Sequence, residues 1–408
     1  MTVAHKRLGL GAALILAAGT LLALTTSTSA SAITTTSGAP AAAPCTISAP
    51  QVVSAGHSHH FSGIVVAAGD SCTGAGHKPP PEPAFNGTPP LLFRGAAGCF
   101  SPPCFGGNVM MTASTGPLTV VPIFWDPAGY PMSSAYKSII TSYLADVAKA
   151  SGKSQNVYSV ANEYSGNNGQ IHYNIKLGPV LNDTNPITSG CTLEANDQTG
   201  IYADGTGYSA CVDDAQLQGE INSFVAANGL PRDLTHIYVI YTAKAVESCF
   251  LPGETTSIAP NGQFCTINHQ ETAAYCAYHT NTTALPSAVY ANMSYPIYAS
   301  PVGFTCGSDA RFPVVQSPNG NPDADTEISP TSHEINEAIT DPDGETGWLD
   351  STGNEIGDDC AYIFGRTRGP AGGYFNQVIN GGKFITQEEF SNNLFASSGG
   401  TAGCLQGA

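Results

Sequence analysis

From about residue 106 the chain switches between short apolar runs and segments whose apolar residues recur every three or four positions. Leu118–Trp125 carries Val120, Val121, Ile123 and Phe124 almost without interruption and reads as a buried strand. Residues 131–150 place Tyr136, Ile139, Ile140, Tyr143, Leu144 and Val147 at helical spacing, which predicts an amphipathic helix. Residues 171–175 read as a strand. Residues 213–228, with Leu217, Ile221, Phe224 and Val225, read as a second helix, and 234–242 as another buried strand. Strands thus alternate with helices in the first half, whereas the second half is rich in Gly, Asn, Pro and cysteine and reads as loops. The pattern predicts an α/β (α+β) domain, a mixed twisted sheet packed on helices.

The first 105 residues are different. His5, Lys6 and Arg7 precede an apolar stretch from Leu8 to Leu24, and Ala30-Ser31-Ala32 forms a small-residue cleavage site, so residues 1–32 read as a signal peptide. Residues 33–105 are rich in Ala, Pro, Gly, Ser and Thr. Pro79-Pro80-Pro81 and Pro89-Pro90 break any regular element, so the segment reads as a low-complexity extension or propeptide. One strand-like run, 61–68, lies between Cys45 and Cys72. The three His at 57, 59 and 60 have no carboxylate or thiol at metal spacing. The globular domain is assigned to 106–408.

The twelve cysteines form an even set in a chain carrying an export signal, which predicts that all are paired in disulfides. Cys99 and Cys104, around a short Pro-Pro loop, are candidates for a local pair. The formal net charge of −17 becomes −19 once Lys6 and Arg7 are removed. A surface of that sign repels nucleic acid and anionic lipid. No long apolar run follows residue 32, so the mature protein is expected to be secreted and free of the membrane; a monomer is expected as well.

The chemistry lies in His333-Glu334-Ile335-Asn336-Glu337. Residues 331–341 read as a helix, with Ser329, Thr331 or Ser332 as its cap and Pro330 in its first turn. Asp341-Pro342 ends it, because proline disfavours helical geometry in the residue before it. In a helix, positions four apart share a face, so His333 and Glu337 point the same way as two zinc ligands must. Glu334 stands beside them, where it can take a proton from an attacking water. This is the logic of H-E-x-x-H proteases with Glu in place of the second His. Chance alone puts Glu at +1 and +4 of one of the ten His about once in a hundred such chains. A third ligand is expected downstream. Glu355 is preferred and Asp358 is second, while Asp358 or Asp359 could support His333 from behind. Asp341, Asp343, Glu345 and Asp350 lie close by, so a structural calcium competes for these carboxylates.

The run 332–342, then Trp348, then Glu355-Ile356-Gly357-Asp358-Asp359-Cys360, resembles the EXORDIUM, or phosphate-induced, family of plants, and more closely its bacterial and fungal secreted relatives. These share H-E-x-x-E-x-x-T-[DN]-P followed by E-x-x-D-x-C. Phe264-Cys265, Cys276-Ala277-Tyr278-His279, Cys306, the segment 384–392 and Cys404 are also similar to that family. The resemblance covers roughly residues 115–408 and leaves the first 105 without a counterpart. It implies an extracellular location and a zincin-like fold. Plant members are associated with cell expansion and growth signalling, and peptidase activity in them is inferred.

Two readings follow. In the first the chain is a zinc-dependent hydrolase, most simply a metallopeptidase acting on a polypeptide or cell-wall-associated substrate. His333, Glu337 and Glu355 or Asp358 hold Zn2+, Glu334 is the general base, and His279 is either an oxyanion donor or a structural histidine beside a disulfide. Tyr362 and Tyr374 compete with His279 for that last role, and His172 and His236 read as core or edge residues. In the second the chain is a non-enzymatic extracellular binding or signalling protein that keeps a structural metal. Glu334 favours the first, since a pure scaffold has no use for a general base. A serine hydrolase is disfavoured by the absence of a G-x-S-x-G elbow.

Overall fold

The computed structural model describes residues 62–63, 82–251, 262–267, 275–300 and 304–408. Its main sheet has seven strands: β1 (Ser62–Gly63), β2 (Leu118–Trp125), β3 (Ile175–Leu177), β4 (Leu181–Asp183), β5 (His236–Thr242), β6 (Ala277–Asn281) and β7 (Val289–Met293). The spatial order is β1-β6-β7-β5-β2-β3, with β4 continuing beside β2 after β3. Strands β7, β5, β2, β3 and β4 run parallel, with Val120 opposite Ile237 and Tyr290 opposite Tyr238. Near-continuous apolar runs such as those of β2 and β5 suit a parallel sheet buried on both faces. Strand β6 runs antiparallel to β7, with His279 opposite Ala291, and β1 pairs with the outer edge of β6, with Ser62 opposite His279.

Helix α1 (Ser134–Lys149) starts where Ser133 Oγ accepts the Tyr136 N–H at 3.1 Å, and it buries Tyr136, Ile140, Tyr143, Leu144 and Val147. Helix α2 (Asp214–Ala227) starts in a reciprocal capping box between Asp213 and Gln216. Both helices and the strands at 118–125 and 236–242 fall where the hydrophobic pattern predicts them. The expected strand at 171–175 does not form as drawn. Ile171 makes an isolated bridge to Thr112, and regular pairing begins at Ile175. β6 and β7 stand where loops were expected, because neither has a clean alternation to mark it.

Helix α3 (Pro322–Thr340) begins nine residues before the expected start. Asn321 caps it by accepting the Ala324 N–H at 3.0 Å, Pro322 occupies the first turn, and Asp323 and Asp325 face the positive helix end. Pro330 is therefore interior, and its missing N–H leaves the Thr326 carbonyl without the usual helical donor. Burial holds the helix together regardless: 16 of its 19 residues are buried, against α1 and beneath β6 and β7. A helix buried on all sides is ordinarily apolar. This one carries His333, Glu334, Asn336 and Glu337 into the interior, where polar groups are costly unless partnered.

Residues 82–105, which composition groups with the N-terminal extension, pack onto the domain. Glu82 accepts the Phe364 and Gly365 N–H groups, Thr88 N–H donates to Asp350, and Asn392 pairs with both backbone groups of Leu91. The ten described cysteines form five disulfides: Cys99–Cys104, Cys191–Cys211, Cys249–Cys265, Cys276–Cys306 and Cys360–Cys404. The predicted local Cys99–Cys104 pair is among them. Cys45, Cys72 and the three His at 57, 59 and 60 lie outside the described residues. Among the described residues no helix is long and apolar enough to cross a membrane.

Candidate metal centre

One turn of α3 separates His333 from Glu337, and their Nε2 and Oε1 atoms lie 2.8 Å apart. The chain then leaves the helix at Asp341 and returns through the short helical turn Asp358–Cys360, which the Cys360–Cys404 disulfide fastens. There Asp358 N–H donates to Glu337 Oε1 at 3.1 Å, and Asp358 Oδ1 comes within 3.6 Å of His333 Nε2. His333, Glu337 and Asp358 thus each present a ligand atom within 4.8 Å of the others. A tetrahedral ion with bonds of ~2.0–2.2 Å separates its ligands by roughly 3.4 Å. Of the two predicted third ligands, Asp358 is the one beside His333.

Glu355 faces a different imidazole. His279 sits on β6 above α3, its Nε2 3.8 Å from Glu355 Oε1 and its Nδ1 3.5 Å from Glu337 Oε2. His279, Glu337 and Glu355 form a second convergent group, so Glu337 belongs to both. His279 Nδ1 also lies 3.2 Å from Glu334 Oε2, and Nε2 donates to the Asp341 carbonyl at 2.9 Å. Both ring nitrogens therefore face protein atoms, which leaves the imidazole no free N–H for a substrate oxyanion. Tyr362 packs against Cys276 and Phe364, and Tyr374 against Phe312. His172 is exposed, and His236 bonds Thr235 at the start of β5.

Two residues that sequence reasoning missed shape the centre. Gln387 Nε2 lies 2.5 Å from His333 Nδ1 and 2.7 Å from the Gly357 carbonyl, which fixes the imidazole plane. Gly357 lies flat against that ring, so that a Cβ there would sit 2.5 Å from His333 Nδ1. Gln387 is 54 residues from His333 and carries no motif signal. Asp359, expected as a partner for His333, turns toward Asn354 and Gly87 instead. The carboxylates expected to compete for calcium are largely engaged by N–H groups. Asp343 accepts from Phe105, Glu345 and Thr346, Glu345 from Phe100 and Ser101, and Asp350 from Thr88, Thr352 and Asn354. Asp341 is completely buried, and burial together with the neighbouring Asp343 raises its carboxyl well above the ordinary range.

The electrostatics are those of a buried centre of excess negative charge. Burial pushes Glu334 up to about 7 despite its contact with His279. Burial also raises Glu337, but His333 and His279 outweigh it and hold this carboxyl at about 2. His333 would be lowered by burial, yet Glu337 above all lifts it to about 10. Burial drives Glu355 and Asp358 well above the ordinary carboxylate range. Four carboxylates (Glu334, Glu337, Glu355 and Asp358) thus share a site with two imidazoles, all at most 2 % exposed. Among the described residues Glu334 Oε1, Glu337 Oε2, both Glu355 oxygens, Asp358 Oδ1 and His333 Nε2 have no hydrogen-bond partner. The close His333–Glu337 approach is an ion-pair contact without hydrogen-bond alignment. Each such orphan costs about 1–3 kcal/mol, more when charged. A cation beside His333 would satisfy its Nε2 and Asp358 Oδ1 together, and the donor set of imidazole nitrogen and carboxylate oxygen is one that zinc accepts. No protein-family model, no curated protein and no solved structure matches the chain.

Proposed function

We propose that this chain is a secreted zinc-dependent hydrolase, a metallopeptidase with a zincin-like arrangement of helix and overlying edge strand. His333, Glu337 and Asp358 would hold the metal, and the run 332–360 resembles the motif of the EXORDIUM family. The observation that carries the reading is the convergence of those three ligands within 4.8 Å beside Glu334, with His333 Nε2 and Asp358 Oδ1 left without hydrogen-bond partners. Bound there, zinc would polarise a scissile carbonyl and make water a competent nucleophile near neutral pH. Glu334, poised at about 7 by burial, takes the proton of the attacking water and returns it to the leaving amine. Gln387 and Gly357 orient His333. Strand β6 is the antiparallel edge along which an extended polypeptide would pair, and Ser62–Gly63 lies along it in this structure.

The complete burial of Glu334, His333 and Glu337 favours a second reading, in which the metal is structural in a non-enzymatic extracellular protein. Metal analysis of purified protein, beside His333→Ala, tests the metal. Hydrolysis of a mixed peptide library by protein with and without residues 33–81 tests the activity. Cleavage that depends on metal and appears or rises when those residues are removed supports the enzyme. A zinc-loaded protein that cleaves nothing in either form supports the structural metal.

A further inference from the structure

Glu337 presents its two carboxylate oxygens to two different imidazoles, Oε1 to His333 and Oε2 to His279. The proposed zinc position uses only the first. On the other side lie His279 and Glu355, which converge with Glu337 as closely as His333 and Asp358 do. Every one of these groups is buried, His279 and Glu355 completely.

The tautomer of His279 decides what that side can hold. Its Nε2 is 2.9 Å from the Asp341 carbonyl, an atom that only accepts, so Nε2 carries the proton of the neutral ring. Nδ1 is then a bare lone pair facing Glu334 Oε2 at 3.2 Å and Glu337 Oε2 at 3.5 Å. Lone pair against carboxylates is repulsive unless a positive charge stands between them. A second proton on the ring would lie between Glu334 Oε2 and Glu337 Oε2 and would still leave both Glu355 oxygens without partners among the described residues. A divalent cation held among His279, Glu337 and Glu355, which converge within 4.8 Å, would give the Glu355 oxygens the partner they lack. A ring N–H tied to a backbone carbonyl is also the support that a ligating imidazole ordinarily has.

We propose that Glu337 bridges two divalent-cation positions, the second formed by His279, Glu337 Oε2 and Glu355 beside the first at His333, Glu337 Oε1 and Asp358. This rests on the proposed metal centre and extends it from one ion to two. Imidazole with carboxylates suits Zn2+ or Mn2+.

The test is stoichiometry in the full chain stripped of metal and reloaded with zinc, read by elemental analysis after buffer exchange. Wild type should retain two ions. Glu355→Gln, nearly isosteric, and His279→Ala should each retain one, as should His333→Ala, and Glu337→Ala should lose both. Circular dichroism reports folding of each variant, and Glu355→Gln carries the test if His279→Ala fails to fold. With Mn2+ in place of zinc, electron paramagnetic resonance should show an exchange-coupled pair in wild type and an isolated six-line signal in Glu355→Gln. One zinc that His333→Ala abolishes and Glu355→Gln leaves untouched overturns the second position while the first stands. No zinc in wild type overturns both.

Discussion

Gly357→Ala isolates the geometry of the metal centre from its chemistry, because the substitution adds one methyl group and changes no ligand. The backbone at Gly357 has φ −80° and ψ −40°, a conformation that alanine adopts freely. The nearest obstacle is His333: the new Cβ would stand 2.5 Å from Nδ1 and 2.8 Å from Cγ and Cε1. Ordinary carbon contacts need about 3.5 Å or more, so the ring or the turn must shift by roughly 1 Å. The ring has little room, since Gln387 holds Nδ1 and Glu337 lies against Nε2. A displacement of that size is half of a ~2.0 Å zinc–nitrogen bond. Disturbing the support of a ligand typically weakens metal binding about 10–100-fold, and overpacking costs about 1–3 kcal/mol of stability. Gly219→Ala on the exposed face of α2 is the control, because nothing lies within 4 Å of its Cβ. It should stabilise by about 0.5–1 kcal/mol and leave zinc affinity unchanged. Competition against a chromophoric chelator reads affinity, and thermal unfolding with and without chelator separates binding from folding. If Gly357→Ala folds and holds zinc as tightly as wild type, His333 is not a ligand in the orientation described.

The other predictions address base, pH and covalent support. Glu334→Gln should keep its metal and lose turnover by about 10²–10⁴, measured as peptide hydrolysis at equal metal occupancy; a variant as fast as wild type removes Glu334 from the proton transfer. Asp183, buried with Oδ2 unpartnered, is pushed up by burial, and further by Glu220 and Asp126, from its ordinary value to about 7. Between about pH 4 and 7 the unfolded chain therefore binds fewer protons than the folded one, and stability falls as pH rises through this window. Asp183→Asn should flatten that fall and stabilise the protein at pH 8 by on the order of 2–4 kcal/mol. Denaturant midpoints across pH check this, and an unchanged slope between pH 4 and 7 refutes it. Replacing Cys360 and Cys404 by Ser opens a cross-link spanning 44 residues and should cost about 4 kcal/mol. It should also loosen zinc by freeing the Asp358 turn, and a variant with lower thermal stability but unchanged zinc affinity would show that the turn holds itself.

Periodic and local features were legible in the chain itself. The buried strand Leu118–Trp125, α1 and α2 follow from apolar spacing and from caps within three residues of the helix they start. The Cys99–Cys104 pair follows from a five-residue separation. The His333–Glu337 pairing follows from helical pitch, since positions four apart share a face whatever the rest of the fold does. The start of α3 was obscured because Pro330 looks like a first-turn residue, and only burial on all sides sustains a helix through it.

What lies across the helix from His333 was decided by contacts between distant segments. Glu355 and Asp358 are both carboxylates three residues apart, and spacing cannot rank them. The turn closed by Cys360–Cys404 swings Asp358 to His333 and leaves Glu355 with His279. His279 reads as one histidine in a cysteine-rich stretch. Its place over α3 exists because β6 pairs with β7, 55 residues before Glu334, and pairing depends on register, not on composition. Gln387 and Gly357 matter through a ring plane and a missing Cβ, which have no signature along the chain. Helical periodicity acts over a few residues and leaves its mark there, whereas the second imidazole, the shared Glu337 and the orphaned oxygens exist only once the sheet is laid over the helix.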